Sequence, residues 1–149
     1  MSGPGEHMSE QMTPQHVEQL ITRGPFHQWL GIKVVALSAD GIELKATWRE
    51  EWIVNPDRRY THGGIVAALV DLAADWAMVA KNGRGVPTID LRVDYHSAAM
   101  PGDLTVRGKV VRMGGQFSTA EAAVFDQAGK LLASGRGTYF TAPPPPPKG

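Results

Sequence analysis

Residues 62–81 read His62-Gly63-Gly64-Ile65-Val66-Ala67-Ala68-Leu69-Val70-Asp71-Leu72-Ala73-Ala74-Asp75-Trp76-Ala77-Met78-Val79-Ala80-Lys81. Apolar residues fall on every side of a helical wheel, which predicts a central, buried helix rather than a surface one. At 1.5 Å per residue it runs ~28 Å. Asp71 stands mid-helix between Val70 and Leu72, and Asp75 follows one turn later on the same face, with neither Lys nor Arg inside the helix to offset them. A carboxylate in a dry core costs several kcal/mol or shifts its pKa. One reading makes the acid a general base or nucleophile in a cleft that substrate reaches. The other has Asp71 or Asp75 capping a neighbouring loop or pairing with an arginine of the sheet.

The helix start carries chemistry of its own. First-turn N–H groups have no intrahelical partner, and the helix dipole favours negative charge there. Gly63 and Gly64 have no side chains to keep a ligand from the backbone, so the segment suits an oxyanion hole. A glycine-allowed sharp turn with His62 as an ordinary cap is the alternative. Gly63 and Asp71 are eight residues apart, ~12 Å along one helix, too far to act on one carbonyl within one subunit. If they cooperate, two helices lie antiparallel across a dimer interface and share their sites.

Working outward, Thr13-Pro14 is a helix start with Thr13 as N-cap. Val17, Leu20 and Ile21 follow at helical spacing, and Gly24-Pro25 ends that helix. Phe26, Trp29 and Leu30 predict one more apolar turn. Strands are expected at Ile32–Leu37 and over Ile42, Leu44, Ala46 and Trp48, which alternate with polar residues across an Asp40-Gly41 hairpin turn. After the long helix, strands are expected near Thr88–Tyr95, Asp103–Met113, Phe117–Asp126 and Lys130–Thr141, with turns at Met100-Pro101-Gly102, Gly114-Gly115 and Asp126–Gly129. Strands segregated from one long buried helix predict an α+β fold, an antiparallel sheet curled around that helix. Residues 1–12 are polar and expected to form a poorly ordered tail, 13–142 the single domain, and 143–149 a proline-rich tail, in which Pro143–Pro147 favour an extended terminal spacer.

Composition narrows the functions. A length of 149 residues fits one domain, and 42% hydrophobic with 20% charged residues is a globular, soluble composition. Basic and acidic residues balance at 15 each, which gives no electrostatic footprint for nucleic acid or an anionic membrane. The absence of cysteine excludes disulfides, thiolate metal sites and a cysteine nucleophile. The histidines, at 7, 16, 27, 62 and 96, lack metal-ligand spacing, so no metal site is expected. No signal-peptide stretch is present in residues 1–12, and the acids at 71 and 75 break the longest apolar run, so no membrane span and a cytoplasmic location are expected.

With these residues in view, the chain resembles the PaaI-like (phenylacetate-degradation type) hotdog thioesterases. Four stretches carry the resemblance: Phe26–Ile32, the motif His62–Asp71, Thr88–Tyr95 and Ala133–Tyr139. The His-Gly-Gly motif with an acid nine residues after the histidine is the specific one. The resemblance implies a hotdog fold of about five to six strands, hydrolysis of an acyl-CoA without a cofactor (coenzyme A being part of the substrate), and a homodimer often paired into a homotetramer. It implies the N–H of Gly63 as donor to the thioester oxygen, His62 as an orienting residue, and Asp71 of the partner subunit as general base or nucleophile. Thr88 matches a hydroxyl that helps place water. Gly64, Asn55, Asp75 and Thr88 are the expected substrate-contacting positions. Two of these depart from the pattern. Asp75 stands where the family commonly has a small or polar residue, and Asn55 stands seven rather than six residues before His62. A non-catalytic acyl-CoA or small-ligand binding module on the same fold is the alternative function. Hydration of an enoyl-CoA fits less well, because His96 alone does not supply the Asp/His pairing of that branch. Arg92, Arg107, Arg112 and Arg136 are candidates for meeting the phosphates of coenzyme A. Trp29, Trp52 and Trp76 are read as core residues rather than as a pocket lining.

Overall fold

Thr13 caps the first helix as expected: its side chain accepts the N–H of His16, and Pro14 opens α1, Pro14–Ile21. The computed structural model describes residues 12–148, so the expected tail, apart from Met12, lies outside the described residues. Met12 is half-buried and packs against the core. A short α2, Pro25–Trp29, supplies the extra apolar turn. Strands β1 (Lys33–Leu37) and β2 (Gly41–Ala46) form a hairpin, closed by the Ser38 N–H donating to the Gly41 carbonyl at 2.9 Å. A 3-10 turn, Glu50–Trp52, buries Trp52 completely. Helix α3 spans Gly63–Asn82 and ends at Gly83, whose left-handed φ of 81° lets its N–H return to Val79. The strands β3 (Thr88–Tyr95), β4 (Leu104–Arg112), β5 (Phe117–Phe125) and β6 (Leu131–Phe140) complete the chain.

The six strands make one sheet in the order β1-β2-β4-β5-β6-β3, and every neighbouring pair is antiparallel. Residues alternate across it. Leu104, Val106 and Val110 of β4 and Ala120, Ala122 and Val124 of β5 are buried toward α3, while Arg107, Lys109, Glu121 and Ala123 face away. Two glycines set how close the helix comes. A Cβ on Gly108 would stand 2.1 Å from the Ala73 carbonyl oxygen, and one on Gly135 would stand 2.7 Å from a Val70 methyl. The helix backbone therefore lies against the β4 backbone, with no side chain between them.

Burial of α3 is one-sided, not all-round as the wheel predicts. Val66, Leu69, Val70, Leu72, Ala73, Ala74, Ala77, Met78 and Val79 are buried, but Ala67, Ala68, Asp71 and Asp75 are half-exposed and Gly64 is exposed. A single sheet covers one side of a helix; Ile65 and Trp76, also half-exposed, pack against the core, and the face bearing Gly64, Ala67, Ala68, Asp71 and Asp75 has small residues and acids. By length and apolarity α3 does reach what a bilayer span needs, its two acids notwithstanding; its packing into the sheet accounts for that hydropathy.

The sheet's two edges differ. On β1 the outward Val34 N–H donates to the Glu18 carboxylate of α1 at 2.8 Å. On β3 no described element covers the free edge, and Ile89 and Tyr95 are more than half exposed. An eight-residue strand with an open edge is a template for pairing. Gly108→Ala tests the close approach: forcing a methyl against the α3 backbone is expected to lower unfolding stability by about 3 kcal/mol, read as a reduced midpoint in chemical denaturation.

Candidate active site

The start of α3 is clamped from several directions. Thr61 donates its N–H to the Ala99 carbonyl and His62 its N–H to the Trp52 carbonyl, both at 2.8 Å, which fixes the chain entering the helix. His62 is the N-cap: its Nδ1 accepts the Gly64 N–H at 2.7 Å. In the neutral ring the proton is then on Nε2. The His62 carbonyl accepts the N–H groups of Ile65 at 3.0 Å and Val66 at 3.4 Å. The Gly63 carbonyl accepts the hydroxyl of Tyr95 at 2.7 Å. One first-turn donor remains, the N–H of Gly63, which has no acceptor among the described residues.

The two glycines therefore differ in role. A Cβ on Gly64 would press to 2.9 Å from the His62 ring, so its bareness makes room for the cap, and its N–H is already engaged. Gly63 faces the Tyr95 ring and a pocket of about 380 Å³ whose walls include Tyr60, Val66, Tyr95, His96 and Ala98.

Asp71 is held from the sheet. Its Oδ1 accepts the Thr88 hydroxyl at 3.0 Å and the Tyr139 hydroxyl at 3.0 Å. Thr88 and Tyr139 are direct partners in the β3–β6 ladder, so one register point of the sheet supplies both donors. Tyr139 is fully buried, and its ring lies over Gly137, where a Cβ would come within 2.4 Å of the hydroxyl oxygen. Burial first, then the charge of Asp71, hold the Tyr139 hydroxyl far above its ordinary range, so it stays a donor. With both hydroxyls on Oδ1, the second oxygen of Asp71 has no donor among the described residues.

Asp75 has no such support. Its Oδ1 is buried without a hydrogen-bond partner. Burial first, then the charge of Asp71, push its carboxyl up to about 7 from an ordinary 3.8. The inward residues of β2, β4 and β5 are apolar apart from the small hydroxyl of Ser118, and from β6 Tyr139 senses the charge of Asp75.

Other predicted positions are placed plainly. The Asn55 carboxamide oxygen accepts the N–H groups of Asp57 at 2.9 Å and Arg58 at 3.2 Å, which makes it a turn former within its loop. Trp52 is core, and Trp29 and Trp76 pack half-buried against it. Arg92, Arg107 and Arg136 do come together, around a groove of about 610 Å³. That groove is on the sheet face turned away from α3, and so away from Asp71 and Gly63. The sequence reading missed the roles of Tyr139 and Tyr95. Each lies in a quoted stretch, but its partner is fixed by strand order.

A family model described as the thioesterase superfamily matches residues 59–133, the span from just before His62 through Ala133. The chain belongs to the thioesterase superfamily. A solved structure described as a protein from that superfamily is 47% identical, with a TM-score of 0.84 over 86% of this chain and 97% of that one. A protein of Halobacterium salinarum, provisionally named an esterase, is 34% identical over 74% of this chain and 80% of its own length. The Escherichia coli medium/long-chain acyl-CoA thioesterase YigI is 23% identical over 83% and 89%. The antiparallel sheet around one long helix is the hotdog fold of this superfamily, as the resemblance to PaaI-like proteins leads one to expect.

The isolation of Asp75 gives a stability prediction. Its folded pKa is raised above the unfolded value, so the stabilisation from its neutral form is complete below about 4 and lost as pH rises through about 7. Asp75→Asn removes that ionisation. At pH 8 the variant is expected to unfold at higher denaturant than the parent, by up to about 4 kcal/mol, with the difference closing toward pH 4. Parallel pH profiles for the two proteins would contradict the assignment.

Proposed function

We propose that this thioesterase-superfamily protein hydrolyses an acyl-CoA to the free acid and CoA, in sites shared between two subunits. The observation that carries the reading is the pairing of one uncommitted donor with one uncommitted acceptor. At the positive end of α3 the Gly63 N–H is unspent; two turns on, one oxygen of Asp71 is unspent. They lie ~12 Å apart on one helix, so a single subunit does not bring both to one carbonyl.

A second copy supplies the missing half. The face of α3 bearing Gly64, Ala67, Ala68, Asp71 and Asp75 is incompletely covered, and small residues allow a second helix to come close. The open β3 edge lies beside it, while β1 is blocked by Glu18. Two chains joined edge to edge along β3, with their α3 helices antiparallel, bring Gly63 of one toward Asp71 of the other.

In that site the thioester oxygen accepts from the Gly63 N–H and the helix dipole stabilises charge building on it. His62, locked by its cap, borders the same oxygen. Asp71 of the partner subunit, steadied by Thr88 and Tyr139, takes a proton from the attacking water or attacks the carbonyl itself; ¹⁸O from solvent found in Asp71 after a single turnover marks the covalent route, with water opening the anhydride at the Asp71 carbonyl. The tetrahedral intermediate collapses with loss of the CoA thiolate, whose thiol resembles a cysteine of pKa roughly 8.5 and leaves without strong acid assistance. Where water attacked, collapse gives the free acid; where Asp71 attacked, it gives a mixed anhydride with Asp71 that a water then hydrolyses to the free acid and the restored carboxylate. The name of YigI supports an acyl-CoA as the substrate class.

Thiol release from phenylacetyl-, hexanoyl- and palmitoyl-CoA is the test. Turnover by the parent protein is expected to fall about a thousandfold in Asp71→Ala. Gly63→Pro deletes the donor at a helix position that tolerates proline and is expected to cost about a hundredfold or more in kcat. Tight binding of these thioesters with no thiol release would instead make the protein a binding module, and undiminished turnover by Asp71→Ala would refute the mechanism.

A further inference from the structure

Strand β3 meets the site twice. Its first residue, Thr88, holds Asp71. Its last, Tyr95, donates its hydroxyl to the Gly63 carbonyl at 2.7 Å and lays its ring beside the Gly63 Cα. Tyr95 is 55% exposed, so its ring is not there to fill the core. Nor does the Gly63 carbonyl need it: in a helix beginning at Gly63, the N–H of Ala67 already bonds that oxygen. The hydroxyl is a second donor on a satisfied acceptor.

Its effect is on aim. Gly63 and Gly64 are adjacent glycines, the residues with the widest backbone freedom, at the point where an oxyanion donor has to be held within about 0.5 Å and 10–20°. The His62 ring fixes the far side of the Gly63-Gly64 peptide through the Gly64 N–H. Tyr95 fixes its carbonyl. With both in place the Gly63-Gly64 peptide cannot rock. The Gly63 N–H belongs to the preceding peptide, whose His62 carbonyl is held by Ile65 and Val66, so fixing the plane on the other side of the Gly63 Cα limits the swing left to that N–H.

We propose that Tyr95 is a positioning residue for the reaction: by holding the Gly63 carbonyl from the end of β3, it aims the Gly63 N–H at the thioester oxygen. The proposal rests on the reading of Gly63 as oxyanion donor given above. It makes β3 the common mount of the two half-sites, one at each end of the strand.

The test uses full-length protein and whichever of phenylacetyl-, hexanoyl- and palmitoyl-CoA the parent turns over fastest, ¹³C-labelled at the carbonyl. Tyr95→Phe removes one exposed hydroxyl and keeps the ring. It is expected to lower kcat about tenfold, part of what a full oxyanion donor is worth, with KM within about twofold. In a Gly63→Pro background, where the donor is already gone, the same change is expected to cost nothing further. Difference infrared spectra on Asp71→Asn protein are expected to show the bound carbonyl stretch shifted to lower frequency, with that shift at least halved when Tyr95→Phe is added. An unaltered stretch, an unaltered kcat, or a loss that adds in full to that of Gly63→Pro overturns the role of Tyr95 while leaving Gly63 as donor. No shift in the Asp71→Asn protein itself overturns the oxyanion reading, and the role of Tyr95 with it.

Discussion

Gly108 lets the backbone of β4 touch the backbone of α3, and the rest of the architecture depends on that contact. Any side chain there lifts the helix off the sheet. At the observed depth, the Tyr139 hydroxyl reaches Asp71 from β6 and the Thr88 hydroxyl reaches it from β3. Gly135 and Gly137 serve the same end, one clearing Val70 and the other giving the Tyr139 ring a place to lie. Glycine in a strand interior costs stability; here three of them allow a helix carboxylate to be gripped by strand hydroxyls.

The two acids of α3 show how environment separates identical side chains. Asp71 has two hydroxyl donors on one oxygen, whereas Asp75, one turn away, has none on its buried oxygen. Burial and the neighbouring charge push Asp75 toward its neutral form. Near neutral pH the helix thus avoids two full negative charges on one face.

Much of this is written locally in the chain. The apolar run from 63 to 80, the period-two strands and the turn at Asp40-Gly41 follow from side-chain spacing, and Thr13-Pro14 marks a helix start by backbone chemistry. Gly63 and Asp71 stand out because a bare helix start and a mid-helix acid are locally odd. Thr88 entered only through family resemblance. Tyr139 and Tyr95 have no local oddity: their roles arise because β6 and β3 are neighbours in a register that puts Tyr139 opposite Thr88, and strand order is not written in any window of sequence. The one-sided burial of α3 was hidden for a related reason. A helical wheel counts apolar residues but does not say whether the same chain or a second copy covers them.

The central claim is that each catalytic site takes its donor from one subunit and its acid from the other. Mixing two inactive proteins, Gly63→Pro and Asp71→Ala, after dissociation and reassociation tests it directly. In a mixed dimer one shared site has both lesions and the other has none, so random reassortment is expected to restore about a quarter of the parent thiol-release rate. A mixture that stays as inactive as its components, while size and mass measurements show mixed dimers present, would place both residues in the same subunit's site and contradict the account.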